Sequence, residues 1–188
     1  IEECLRTGTE LLVATDPDCD RIGVWTADGS PKGRLLTGNE IGALLLDYIC
    51  ARKRQNGAMP LRPLAVKSIV STDMADKIAA RYGVEMQTVL TGFKYVGQVI
   101  SRLEKEGRRE DFLFGFEESH GYLSGVHVRD KDGVNALLLV CELAAACRKE
   151  GKTLADKLEE LYQTYGSLCS RVVNIAFSGI HPMEEMKT

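Results

Sequence analysis

Short apolar runs alternate with amphipathic segments along the chain. Two apolar runs, residues 10–15 and 22–27, flank a short acidic stretch and predict two strands, and residues 33–37 can pair back as a third. An apolar face with helical spacing follows, and either Thr37 or Asn39 is placed to cap that helix. The first part of the chain therefore predicts a small sheet followed by one long helix.

The second part of the chain repeats the order of strand and then helix. Strands are predicted over residues 64–70, 84–90 and 111–116, and each is followed by a helical pattern. Such alternation requires crossover connections, which favour a parallel sheet. We therefore predict an α/β fold with mixed, largely parallel sheets flanked by helices. A last apolar run, residues 171–177, predicts one more strand.

A polar segment with Gly and Pro, residues 52–63, predicts a domain linker. We place a first unit at residues 1–57 and a second at 62–165, and we interpret residues 166–188 as a connection toward a further domain. The chain begins without a methionine and has no evident end, so we expect it to be a piece of a longer protein.

Composition argues against several classes of partner. The 188 residues carry 24 basic and 27 acidic side chains without a basic block, which argues against nucleic acid. No apolar run is long enough to span a bilayer, which argues against a membrane. The six cysteines form no CxxC pair, so we expect free thiols and a cytoplasmic location.

The acidic loop, residues 16–21, holds Asp16, Asp18 and Asp20 at alternate positions and ends on Arg21. Carboxylates this close raise one another's pKa unless a positive charge lies between them, so a divalent cation is the simplest resolution. Three carboxylates with open coordination suit Mg²⁺ that holds a phosphoryl oxygen. Arg21 can then neutralise phosphate charge with its forked donors.

The acidic loop also allows other interpretations. An EF-hand requires Gly at the sixth position and Glu at the twelfth, where the chain has Arg21 and Ala27, so it is rejected. An aspartyl-nucleophile phosphatase, with Asp16 as the attacking group, stays open as an alternative. A non-enzymatic module that binds a divalent metal stays open as well.

The stretch GFEESHGY follows the strand predicted at 111–116 and offers groups that can bind a sugar. Glu117 and Ser119 are two apart in an extended segment, so their side chains face the same way and can hold neighbouring hydroxyls. We expect Glu118 to face away into a structural salt bridge. We expect His120 to be merely hydrogen-bonded.

Two further loops offer groups for an anion. Thr91, Gly92 and Lys94 open a predicted helix, where backbone N–H groups and the lysine can meet a phosphate. Arg129 and Lys131 lie in the stretch VRDKDG, a pattern that is also typical of a solvated charge cluster. In the functional interpretation Lys131 donates to a phosphate or relays a proton.

Taken in this order, the loops resemble those of the α-D-phosphohexomutases, the phosphoglucomutase/phosphomannomutase family. DPDCDR is similar to that family's metal loop, GFEESHGY to its sugar-binding loop, and TGFK and RDKDG to segments that line the same cleft. The resemblance implies Mg²⁺ as the cofactor, and it implies three groups of site residues: metal ligands Asp16, Asp18 and Asp20; substrate-binding Glu117, Ser119, Thr91, Gly92, Lys94 and Arg129; catalytic Arg21 and Lys131.

The family has four domains, and the resemblance covers the end of the second and the whole of the third. No stretch resembles the phosphoserine loop of the first domain or the phosphate-binding loop of the fourth. The implied activity interconverts hexose 1-phosphate and hexose 6-phosphate through a hexose 1,6-bisphosphate, with a phosphoserine from domain 1. We therefore expect these hexose phosphates and the missing domains 1 and 4 as partners, and an inactive chain in isolation.

Overall fold

The computed structural model describes residues 1–168, and the strand predicted over 171–177 lies outside them. A first, antiparallel sheet follows the short helix α1 (Glu2–Thr7), and its strands are β1 (Leu11–Thr15), β2 (Ile22–Thr26) and β3 (Arg34–Leu36). The strands are hydrogen-bonded in the order β1-β2-β3. The acidic loop is therefore the turn of the β1–β2 hairpin.

A second sheet contains β4 (Leu64–Ser68), β5 (Glu85–Val89), β6 (Phe112–Glu117) and β7 (Gly121–Ser124). The strand order is β5-β4-β6-β7. The inner strand β4 is parallel to both β5 and β6, whereas β7 is antiparallel to β6. The predicted mixed α/β class is confirmed, with the parallel pairs in the larger sheet.

Helices connect these strands and cover the sheets. They are α2 (Gly38–Gln55), α3 (Met74–Tyr82), α4 (Lys94–Lys105), α5 (Gly133–Lys149) and α6 (Leu154–Tyr165), with a 3-10 turn at Arg109–Asp111. Within residues 1–168, no helix combines the length and the apolar character that crossing a bilayer requires.

One hydrophobic core joins α2 to the helices that follow it. Buried residues of α2, α3, α5 and α6 belong to this core, among them Ile41, Leu45, Ile78, Val140 and Leu158. The polar segment 52–63, which the sequence predicts to be a domain linker, therefore connects α2 to β4 inside one packed unit. The boundary predicted between 57 and 62 does not coincide with a break in the core, because α2 buries its apolar face against the later helices. The assignment of units to particular domains stays a prediction.

Of the two residues that could cap α2, Thr37 is the cap. Its hydroxyl accepts a hydrogen bond from the N–H of Glu40, and the Glu40 carboxylate accepts one from the N–H of Thr37 at 2.7 Å. The side chain of Asn39 instead accepts a hydrogen bond from the N–H of Thr72 at 3.0 Å. Asn39 therefore ties the start of α2 to the loop after β4.

The change Thr37→Ala should lower the free energy of unfolding by about 1 kcal/mol, because it removes the reciprocal cap of a long helix. Urea denaturation measures the loss. Thr164→Ala is the matched control: Thr164 is exposed near the end of α6 and its hydroxyl only donates to a helix carbonyl. That variant should change stability by less than about 0.5 kcal/mol. Equal losses in the two variants would contradict the role of the cap.

Candidate active site

The acidic loop is closed by its own backbone. Oδ1 of Asp16 accepts hydrogen bonds from the N–H groups of Asp20 (3.2 Å) and Arg21 (3.1 Å). Cys19, next to them, has a positive φ of 59°. As a result, one oxygen from each of Asp16, Asp18 and Asp20 lies within 4.8 Å of the other two. The structure therefore brings together the three carboxylates that the sequence singled out.

The donor set of the acidic loop fits a magnesium ion. Mg²⁺ takes oxygen ligands at about 2.1 Å in octahedral geometry, so its ligands lie about 3 to 4 Å apart. The loop oxygens are separated by up to 4.8 Å, so a small contraction brings them into this range. The hydrogen bond from the N–H of Arg21 is the main cause that lowers the pKa of Asp16, which keeps this carboxylate ionised.

The stretch GFEESHGY forms a β-hairpin and not an open loop. The sequence predicts the residues of β7 as part of the loop. In the structure β7 pairs with β6, and the pair nearest the turn is Glu117 opposite Gly121. Residues 118–120 alone therefore connect the two strands. Sequence reasoning missed β7 because it is short and is bounded by Gly121 and Gly125, and glycine is typical of turns.

The two glutamates of this hairpin have different partners. Glu117 is buried, and its Oε1 accepts a hydrogen bond from the N–H of Gly92 at 2.5 Å. Glu118 accepts one from the hydroxyl of Ser68 at 2.8 Å and lines a cavity of about 830 Å³. The side chains therefore diverge, and within residues 1–168 Glu118 is held by a hydroxyl and not by the salt bridge expected for it. Ser119 is half-buried in the turn.

Backbone hydrogen bonds join the acidic loop to the β6–β7 hairpin. The N–H of Ile22 donates to the carbonyl of His120 at 3.3 Å, and Arg21 forms a β-bridge with Gly121. On the other side of the loop, the N–H of Gly133 donates to the carbonyl of Cys19 at 2.9 Å. The candidate metal site and the candidate sugar site are therefore parts of one continuous structure.

Lys131 brings a positive charge to the acidic loop. Its Nζ lies 3.0 Å from Oδ2 of Asp20 and 2.9 Å from Oδ1 of Asp130. Burial lowers the pKa of Lys131, but these hydrogen bonds outweigh that effect and raise the pKa above its ordinary value. Arg21 is exposed, and its Nε lies 3.7 Å from Oδ1 of Asp20. Both predicted catalytic cations thus lie beside the carboxylates.

The other predicted anion-binding residues are more dispersed. Lys94 and Thr91 are exposed, and the ammonium of Lys94 lies 5.0 Å from the centre of the Tyr95 ring. Arg129 donates to the carbonyl of Val126 at 2.8 Å and pairs with Glu104. In this structure the guanidinium of Arg129 is held by these partners, and its substrate-binding role stays a prediction. Arg129 lines, together with Lys94, a groove separate from the cavity beside Glu118.

Gly133 is a site residue that sequence reasoning missed. A Cβ atom at this position would lie 2.6 Å from the carbonyl oxygen of Cys19, so a side chain here would push the acidic loop away. The sequence holds one signal for this: the glycine follows Asp132 at the first position of a strongly apolar helix. Glycine destabilises a helix and is used where another segment must approach the backbone closely, so its presence at this position indicates such an approach.

Comparison with known proteins identifies the family. Residues 37–165 match the model for phosphoglucomutase/phosphomannomutase, alpha/beta/alpha domain III. This chain belongs to the phosphoglucomutase/phosphomannomutase family. A phosphoglucomutase of Staphylococcus aureus (strain USA300) is 40% identical over 166 residues, which are 88% of this chain and 29% of that protein. The chain therefore spans less than a third of the length of this relative.

Solved structures of the family share this fold. A Thermus thermophilus protein assigned as a phosphomannomutase superposes with a TM-score of 0.64 at 29% identity, over 83% of this chain and 31% of that one. The N-acetylphosphoglucosamine mutase of Aspergillus fumigatus superposes with a TM-score of 0.62 at 19% identity, over 89% of this chain and 35% of that one. Because the Aspergillus fumigatus protein is only 19% identical to this chain, its similarity shows the shared fold and nothing more. The family match begins at residue 37 and thus includes α2, in agreement with the shared core.

His120 should make the stability of the fold sensitive to acid. Its backbone φ is 69° and its ring is half-buried. The hydrogen bond expected for this side chain is not found at Nδ1, which has no partner within residues 1–168. Burial, assisted by the charge of Arg21, lowers the pKa of His120. As the pH falls through about 6.5, the unfolded chain therefore binds the proton before the folded chain does, and stability is lost.

The change His120→Asn should reduce this acid sensitivity, because Asn does not titrate and tolerates a positive φ. The measurement is the free energy of unfolding of both proteins about one pH unit above and about one unit below the ordinary histidine pKa of roughly 6.5. The variant should lose less stability than the parent between these two conditions. An identical loss in both proteins would show that the charging of His120 does not oppose folding.

Proposed function

We propose that this chain supplies the metal-binding and sugar-binding part of an enzyme that interconverts hexose 1-phosphates and hexose 6-phosphates of glucose or mannose. The transfer passes through a hexose 1,6-bisphosphate and a phosphoserine outside this chain, and the enzyme is cytoplasmic. The observation that carries the proposal is the direct joining of the acidic loop to the β6–β7 hairpin in a member of this family. This joining brings a candidate metal site and a candidate sugar site to one surface.

In this proposal Asp16, Asp18 and Asp20 hold Mg²⁺. When bound, the ion supplies Lewis-acid stabilisation of negative charge on the phosphoryl oxygens. The Aspergillus fumigatus N-acetylphosphoglucosamine mutase, which shares this fold, was solved with GlcNAc-6P and magnesium. The convergence of three carboxylate oxygens within 4.8 Å supports this choice of metal from this chain's own geometry.

The remaining side chains divide the work of binding and charge neutralisation. Glu117 and Ser119 hold sugar hydroxyls, and the N–H of Gly92 orients the Glu117 carboxylate for this. Arg21 and Lys131 neutralise charge on the phosphoryl group, since both already lie beside the metal-binding carboxylates. Such positioning and charge stabilisation account for most of catalysis in phosphoryl transfer. The exposed Lys94 and Thr91 meet the phosphate that is not transferred.

The sugar-binding role is tested in a chimera in which this chain replaces the matching segment of the Staphylococcus aureus phosphoglucomutase. The change Glu117→Ala should lower kcat/KM for glucose 1-phosphate by about tenfold to a hundredfold, because a hydrogen bond to a charged acceptor is worth about 1.5–3 kcal/mol. Glu118→Ala is the matched control. It removes the bond to Ser68 and should mainly lower the thermal midpoint.

Loss of activity in Glu118→Ala with full activity in Glu117→Ala would contradict the assignment of the two glutamates. The same assay on the chain alone separates the proposal from a phosphatase. The chain alone should not turn over glucose 1-phosphate, whereas hydrolysis of phosphate esters by it would favour Asp16 as a nucleophile.

The metal-binding role is tested by titrating the chain with Mg²⁺ and with Mn²⁺ as its spectroscopic substitute. Binding should be weak, because Mg²⁺ dehydrates reluctantly and one proposed ligand, the phosphoserine, lies outside the chain. Asp18→Asn should abolish it, since one of three carboxylates is lost. Asp28→Asn, in an exposed turn outside the acidic loop, should leave it unchanged. Equal binding by the two variants would rule out the acidic loop as the metal site.

A further inference from the structure

Lys131 is held in a defined position above the β6–β7 hairpin. A Cβ atom added to Gly121 would lie 2.4 Å from Cδ and 2.8 Å from Cγ of Lys131, so the aliphatic part of the lysine passes directly over this glycine. The ammonium lies 5.6 Å from the centre of the Phe93 ring, and the side chain is only 13% exposed. Lys131 is therefore an ordered part of the site and not a freely moving surface lysine.

The ammonium of Lys131 is shared between two carboxylates of different kinds. Asp20, at 3.0 Å, belongs to the converging triad, and its side chain is 27% exposed. Asp130, at 2.9 Å, lies outside the triad, and its side chain is 71% exposed. The structure thus offers the ammonium a partner inside the candidate metal site and a second partner beside it.

A divalent ion bound by the triad and this ammonium would have to share the carboxylate of Asp20. A metal ion bound by the triad would lie within a few ångströms of Nζ, and like charges at such a distance repel strongly in a partly buried site. The ammonium can reach Asp130 without a change of side-chain path, because it already contacts that carboxylate. The nearby face of the Phe93 ring also favours a cation.

We propose that Lys131 is a built-in counter-ion of the acidic loop, which competes with the metal for Asp20 and withdraws to Asp130 when the metal binds. This inference rests on the proposed role of the three aspartates as metal ligands. It makes Lys131 a positioning residue that sets the metal affinity. It also couples two binding events. A bound metal releases the ammonium from Asp20 and so raises the affinity for an anion such as a phosphoryl oxygen. That anion in turn draws the ammonium away and raises the metal affinity by the same factor.

The test compares Mn²⁺ affinities of the chain and of three variants, measured by electron paramagnetic resonance. Lys131→Met removes the competing charge and keeps most of the side-chain volume, so it should bind Mn²⁺ about three- to tenfold more tightly. Gly121→Ala keeps the charge but displaces the lysine from above the hairpin, and it should also bind more tightly. Lys149→Met removes an exposed lysine in the last turn of α5, at the opposite end of that helix from Gly133, so its affinity should equal that of the parent.

Each pattern of results has a distinct meaning. Unchanged or weaker binding in Lys131→Met overturns the inference, and so does an equal gain in Lys149→Met, because net charge alone would then explain the effect. If neither the parent nor Lys131→Met binds Mn²⁺, the proposed metal site itself fails and the inference fails with it. If the parent binds and Lys131→Met does not bind more tightly, the inference alone fails.

A second measurement does not depend on any of the three variants folding as the parent does. The carbon resonance of the Lys131 ε-methylene is followed by NMR in the isotope-labelled parent chain during titration with Mg²⁺. It should shift together with metal saturation, because the ammonium leaves Asp20, whereas the resonance of the exposed Lys149 should stay in place. A Lys131 resonance that does not move at saturating Mg²⁺ overturns the inference.

Discussion

Mutual repulsion among Asp16, Asp18 and Asp20 is the constraint on which the candidate site depends. Three carboxylates that converge within 4.8 Å destabilise a loop unless positive charge or N–H groups compensate them. The loop supplies part of this compensation through the backbone bonds to Asp16. Lys131 supplies a further part from the segment before α5. The acidic loop therefore depends on the packing of α5 against the first sheet, which occurs along β1 and β2.

The larger sheet brings the proposed sugar-binding groups to the same region. β4, β5 and β6 lie side by side in parallel, so their carboxyl ends meet at one edge, where α/β sheets commonly bind ligands. Ser68 ends β4, Gly92 follows β5 and Glu117 ends β6. The hydrogen bonds of Glu117 to Gly92 and of Glu118 to Ser68 tie these three ends together.

The two sheets meet where the acidic loop contacts the β6–β7 hairpin. Because Ile22 bonds to the carbonyl of His120 and Arg21 bridges to Gly121, a shift in either segment displaces the other. The aliphatic part of Lys131 lies over Gly121 as well and reaches Asp20 from there. Backbone and one side chain thus connect the candidate metal site to the hairpin. This arrangement is what the proposed role, the placing of a sugar phosphate against a metal, would require.

Local pattern in the sequence was enough to predict most strands and helices, the cap at Thr37 as one of two choices, and the acidic loop. These features depend on residues that are neighbours in the chain, and periodicity and spacing report on such neighbours. Only the tertiary structure decided that one core extends across both sides of residues 52–63. It likewise decided that β7 pairs with β6 and that Arg129 pairs with Glu104. It also decided that Lys131 reaches Asp20. These contacts join residues far apart in the chain, so they follow from strand order and side-chain packing, which local periodicity does not contain.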